Sequence, residues 1–192
     1  MGPEVDGTSE LRSLRDRPYE LLCELDRRAR AAVLGQPEAA ASGAEWVGIA
    51  FRIGGEAFLL AREETREVMG YPASVTRVPG AKGWIRGLSN VRGQLLPVID
   101  LKAFLGSGNT GVTRATRVLV ANHREIPAGL VVDEVMGFRR FYESEFSADL
   151  PPTLLRCERY LAGAFKRGSE VWPVFSVRSL LESPPFLQAA AS

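Results

Sequence analysis

Residues 84–105 (WIRGLSNVRGQLLPVIDLKAFL) can be laid over residues 160–181 (YLAGAFKRGSEVWPVFSVRSLL) without a gap. At an offset of 76 residues, Trp84 meets Tyr160, Gly87 meets Gly163, Pro97-Val98 meets Pro173-Val174, and Phe104-Leu105 meets Leu180-Leu181. Upstream of the two copies stand Glu67-Val68-Met69-Gly70 and Glu134-Val135-Met136-Gly137, in the same order. Four matching residues could be chance, but collinearity with the longer repeat makes the chain a tandem duplication. Each half, about 60 residues of short strands and one closing helical turn, is too small to bury much core alone, so the halves are expected to pack together.

Within each half, short apolar runs are cut by turn residues, which is the pattern of strands and hairpins. The chain has 19 glycines and 12 prolines, suited to many turns rather than long helices. Strands are predicted over residues 46–53, 56–61, 67–69, 84–91, 94–99, 117–121, 126–132, 137–141, 160–165 and 171–175. Ahead of them, Leu21, Leu22, Leu25, Ala29, Ala32 and Val33 recur at helical spacing between Pro18 and Gly35, predicting one amphipathic helix over residues 18–34. The organisation read from this is an N-terminal extension of helix and linker (1–44), a strand-rich domain (45–183) and a C-terminal tail (184–192).

The inventory of reactive groups is poor. His123 is the only histidine, so no histidine pair can hold a metal; its setting, Ala-Asn-His-Arg-Glu between two strands, reads as an exposed loop. Gly106-Ser107-Gly108-Asn109-Thr110-Gly111 fits the dinucleotide glycine pattern, but it precedes a strand instead of opening a helix, and reads as a flexible loop. Glu63, Glu64, Glu67, Asp133 and Glu134 read as surface carboxylates, and Trp46, Trp84 and Trp172 as core fillers. Catalytic residues, metal and cofactor are therefore all expected to be absent.

A net charge of +1, with both signs interspersed, gives no field to draw nucleic acid or anionic lipid. A nucleic-acid-binding small barrel, the rival from a different class, would need a basic face with exposed aromatics. No stretch of about 18 apolar residues is present to insert in a membrane. Cys23 and Cys157 have neither metal spacing nor the density of a disulfide framework, and residues 1–10 lack an apolar signal segment, so a cytoplasmic setting is expected. One polar cluster stands out: Asn90-Val91-Arg92-Gly93 between two apolar runs, matched in the second copy by Lys166-Arg167-Gly168-Ser169. It reads either as a solvated hairpin end or as a turn that presents Arg92 to a partner.

The segment VTRVPGAKGWIRGLSNVRGQLLPVIDLKAFLG (75–106) resembles the signature of CheW-type adaptors of bacterial chemosensory systems. Ala128-Gly129-Leu130-Val131-Val132-Asp133-Glu134-Val135 and Tyr160-Leu161-Ala162-Gly163 are similar to two further family elements, so the likeness runs over residues 46–181. It implies an all-β fold of two intertwined five-stranded SH3/OB-like β-barrels that exchange strands, here with the extra N-terminal amphipathic α-helix. That helix, followed by Phe51-Arg52-Ile53-Gly54-Gly55, is most similar to the branch serving type IV pilus systems (twitching motility); a flagellar or non-motility pathway is the alternative.

The resemblance implies two partners, the cytoplasmic tip of a chemoreceptor and the regulatory domain of a CheA-type histidine kinase, at inner-membrane receptor arrays. It puts Arg92 at the receptor-contacting arginine and Glu67 at the acidic residue paired with it. Asn90, Val91 and Gly93 share that contact as the turn around Arg92. Arg62 and Thr65 stand where flagellar members tend to be apolar, which implies a different receptor.

Overall fold

The computed structural model describes residues 44–189. The helix expected over residues 18–34 lies outside them. The chain opens with the hairpin β1 (Glu45–Ile53) and β2 (Glu56–Ala61), and a 3-10 turn, Arg62–Glu64, leads into β3 (Thr65–Gly70). A long connection reaches the hairpin β4 (Ile85–Val91) and β5 (Gln94–Asp100), closed by the helical turn α1 (Leu101–Phe104). The order then repeats: hairpin β6 (Arg117–Ala121) and β7 (Gly129–Val132), then β8 (Glu134–Tyr142), the two-residue β9 (Phe146–Ser147), hairpin β10 (Leu161–Arg167) and β11 (Glu170–Phe175), and the turn α2 (Val177–Leu181).

The strands form two sheets, in the orders β8-β1-β2-β11-β10-β9 and β3-β6-β7-β5-β4. Neither sheet is one repeat. The first repeat places its β1–β2 hairpin in one sheet and its β3, β4 and β5 in the other, and the second repeat does the reverse. Each exchanged hairpin is received through a parallel pairing, Leu59 opposite Val174 and Gly129 opposite Val98. Apart from β9, replacing each strand by its repeat mate turns one sheet order into the other. The expected five strands per unit become six in one sheet because β9 covers the edge of β10 at Ala164. The single bridge Thr76–Leu88 covers β4 at the mate of that position.

A β-bulge recurs at Gly87 (φ 143°) and Gly163 (φ 147°), where both hairpin registers shift. A Cβ built there would meet the Thr76 carbonyl oxygen at 2.2 Å or that of Ser147 at 2.5 Å, so the covering segment sits where a side chain would go. Pro127 stops β7 from starting at residue 126 as the apolar run predicted, because it has no N–H to donate to a ladder.

Period-two alternation divides the buried residues cleanly. Phe51, Ile53, Phe58, Leu60 and Phe175 of one sheet face Ile99, Leu119, Leu130 and Val132 of the other in the common core. Ala50, Leu59, Phe141, Phe165 and Val174 point the opposite way into one unit, and Val98, Val118 and Val131 into the other. Burying each large side chain in the common core contributes about 1.5–3 kcal/mol, which welds the two sheets. Trp84 and Tyr160, repeat mates, both contact Phe104, at 5.1 Å and 5.9 Å between ring centroids. All three tryptophans pack on core clusters, as expected of fillers.

Two features of the sequence reading are corrected. The segment read as a tail begins with the helical turn α3 (Pro184–Leu187), and Phe186, 6% exposed, stacks on Trp84 in the common core. The glycine-rich loop is anchored rather than free: Thr110 is buried, with its N–H and hydroxyl both donating to Asp100 at 2.9 Å.

Candidate functional site

Arg92 and Gly93 turn the β4–β5 hairpin with φ of 51° and 81°. Positive φ at both central residues is one of the two-residue turn forms whose twist matches right-twisted strands, and a non-glycine residue there carries a conformational cost of about 1–3 kcal/mol. The Asn90 Oδ1 accepts the Gly93 N–H at 2.9 Å and clamps the turn. The Arg92 guanidinium pairs with Glu67 on β3, Nη1 to Oε2 at 3.0 Å, while its side chain stays 81% exposed. The arginine is thus aimed but not covered.

The second copy shows the contrast. Its turn carries Gly168 (φ 59°) at the mate of Arg92, and its arginine, Arg167, is folded down. Arg167 Nε and Nη2 donate to Glu145 at 2.7 and 2.8 Å, and the guanidinium lies 4.6 Å over the Phe141 ring. The hydrogen bond from Arg167 holds the Glu145 carboxyl below the usual carboxylate range, against a smaller opposing effect of burial. Of the two mated turns, the first offers its arginine outward and the second does not.

Beside Glu67 lies a groove of about 720 Å³ between β3 and β8, both of them sheet-edge strands. One wall holds Arg62, Thr65, Arg66, Glu67 and Val68; Ile49, Val135, Gly137 and Phe138 form the other. Phe138 is 60% exposed. A smaller recess of about 180 Å³, lined by Arg92, Val91 and Leu95, shares Arg66, Glu67 and Asn122 with the groove. The structure therefore gathers Arg62, Thr65, Glu67, Val91 and Arg92 along one connected concavity. Asn90 and Gly93 shape the turn and do not line it.

The sequence reading missed the β8 wall, Val135 and Phe138, although the repeated Glu-Val-Met-Gly motif marks β8 as the mate of β3 and could have pointed to it. His123, read as an exposed loop residue, is half-buried: its Nδ1 accepts the N–H groups of Glu125 and Ile126 at 3.3 and 3.1 Å, so it caps its own turn. Cys157 is buried, and burial pushes its thiol pKa up, the opposite of what a nucleophile needs. Among the described residues no cluster of metal-ligating side chains occurs, and no helix is long and apolar enough to cross a membrane.

The model of the CheW-like domain matches residues 47–184. Protein PilI of Pseudomonas aeruginosa is 39% identical over 173 residues, covering 90% of this chain and 96% of that protein. Chemotaxis protein CheW of Bacillus subtilis is 31% identical over 100 residues, 52% of this chain and 64% of that protein. The crystal structure of the scaffolding protein TtCheW from Thermoanaerobacter tengcongensis superposes with a TM-score of 0.64 at 25% identity, covering 74% of this chain and 96% of that one. With the duplicated, hairpin-exchanged sheets and the presented arginine already in place, these matches make this chain a member of the CheW-like family.

Proposed function

We propose that this chain is a non-catalytic adaptor that couples methyl-accepting chemoreceptors to a CheA-type histidine kinase in a pilus-associated chemosensory array. No bond is made or broken; the chain holds two partners at fixed geometry. The reading is carried by Arg92, a guanidinium held at 3.0 Å from Glu67 yet 81% exposed, in a recess that shares Arg66 and Glu67 with a groove that has an apolar wall. An exposed ion pair contributes at most about 1 kcal/mol to stability, so its value lies in orientation. The receptor's cytoplasmic tip occupies the groove, and the kinase's regulatory domain docks on sheet edges elsewhere, at the inner membrane without insertion. Likeness to Protein PilI over nearly the whole chain supports the pilus system over a flagellar one.

The test is co-sedimentation of the full chain with receptor-bearing membranes and the kinase, reading kinase stimulation. Arg92→Asp should weaken receptor coupling severalfold and leave the thermal transition in place. Unchanged coupling in a folded Arg92→Asp protein overturns the site, and failure of wild type to join receptor and kinase overturns the function.

A further inference from the structure

We infer that the groove between β3 and β8 selects a partner helix whose apolar stripe is flanked by acidic side chains, and that Arg62 reads those acids. The inference rests on the adaptor reading above and names the chemistry of the occupant. Most arginines on or between the surrounding strands are committed to a carboxylate, Arg52 to Glu134, Arg86 to Asp100, Arg92 to Glu67, Arg140 to Glu45 and Arg167 to Glu145, while Arg117 and Arg139 donate to backbone carbonyls. The two that line the groove are not so committed. The Arg62 side chain has no hydrogen bond or ion pair among the described residues, and the Arg66 side chain reaches only the Gln94 amide oxygen, at 3.4 Å.

Among the described residues, Glu63 is the one carboxylate lining the groove that is not already held by an arginine, and it also lines the cleft that contains Arg178. The β3 side of the groove thus carries an excess of uncommitted positive charge. The opposite wall offers Val135 and the exposed Phe138, an apolar surface with no charge. Thr65, on the arginine-bearing wall, has its Oγ1 enclosed without a partner among the described residues, so that wall is polar inside as well as at its rim. An occupant complementary to both walls at once places an apolar stripe against Phe138 and carboxylates one helical turn away, against Arg62 and Arg66.

The test uses two synthetic helical peptides of about 20 residues, long enough to span the groove, with one shared leucine stripe and flanks of either glutamate or lysine. Each is titrated into the isotopically labelled full chain at low ionic strength, where charge selection is least screened. The glutamate peptide should bind at least about tenfold more tightly and move amide signals of residues 62–68 and 135–138. Arg62→Glu should abolish or invert that preference with melting unchanged, and Arg62→Lys should keep most of it; Arg62→Gln serves if the glutamate variant misfolds. Equal binding of the two peptides, binding of neither, or a preference that survives Arg62→Glu overturns the inference. Acid selection with failed receptor–kinase coupling would sink the adaptor function alone, and coupling without acid selection would sink this inference alone.

Discussion

Asp100 is fully buried at the end of β5, and five donors converge on its two oxygens. Arg86 Nε and Nη2 and the Thr110 N–H reach Oδ2 at 3.0, 2.5 and 2.9 Å, while the Ala103 N–H and the Thr110 hydroxyl reach Oδ1 at 3.2 and 2.9 Å. Asp100→Asn keeps the shape and removes the charge. Wherever its amide nitrogen settles, it meets a fixed donor, either the guanidinium or the Ala103 N–H that opens α1. Removing one member of a buried ion pair costs about 3–5 kcal/mol. Arg86 keeps 26% side-chain exposure and can recover some hydration, so the lower end, about 3 kcal/mol, is expected. For a domain of this size that lowers the melting temperature by roughly 6–12 °C in a calorimetric scan of the full chain. The mate of Asp100 is Ser176, which caps α2 through the Ser179 N–H at 3.2 Å; Ser176→Ala should cost only about 1 kcal/mol. Arg86→Met combined with Asp100→Asn should cost clearly less than the two single changes added together, since the pair fails as a unit. A melting shift below about 2 °C for Asp100→Asn, or strict additivity in the cycle, would refute the buried-pair argument.

Thr65→Val removes an enclosed hydroxyl that has no partner among the described residues, so the urea midpoint should rise by the equivalent of about 1 kcal/mol; a fall would mean that the hydroxyl is satisfied in solution. The Glu145 carboxyl, held below its ordinary value of 4.5 by Arg167, contributes stability that is complete above that value and is lost as pH falls through its lower folded-state value. Wild type should therefore exceed Glu145→Gln in stability at neutral pH, with the gap closing below about pH 4.5; a gap that widens on acidification would contradict the pair.

Much of the strand content was legible because alternation and turn residues agree locally, and the 76-residue repeat carried over to matched hairpins, bulges and caps. What sequence alone could not give was the partner of each hairpin. β2 meets β11 and β7 meets β5 across more than 30 residues of chain, a choice made by packing in the common core and written in no local motif. The burial of Phe186 escaped for a related reason: residues 184–192 read as a tail, whereas Pro184-Pro185 start a helical turn that presents one aromatic ring to Trp84. At the site, Glu67 and Arg92 followed from the family resemblance and meet as an ion pair, while the β8 wall stayed hidden because its residues sit nearly 70 positions away.

The exchange of hairpins also bears on how a duplicated scaffold acquires a single working face. The groove walls β3 and β8 are repeat mates, each held to a hairpin of the other repeat, β6 for β3 and β1 for β8. A partner seated between them touches both sheets, so the groove cannot be assembled by either half alone. Symmetric walls would accept an occupant in two opposite orientations, and divergence of the copies removes that ambiguity. The first turn offers Arg92 to solvent, while the second ties Arg167 onto Glu145 and Phe141. One wall bears Arg62 and Arg66, and the other bears Val135 and Phe138. Polarity is thus imposed on a nearly two-fold frame by a few side chains, which is what a scaffold needs if it is to hold a partner in one direction.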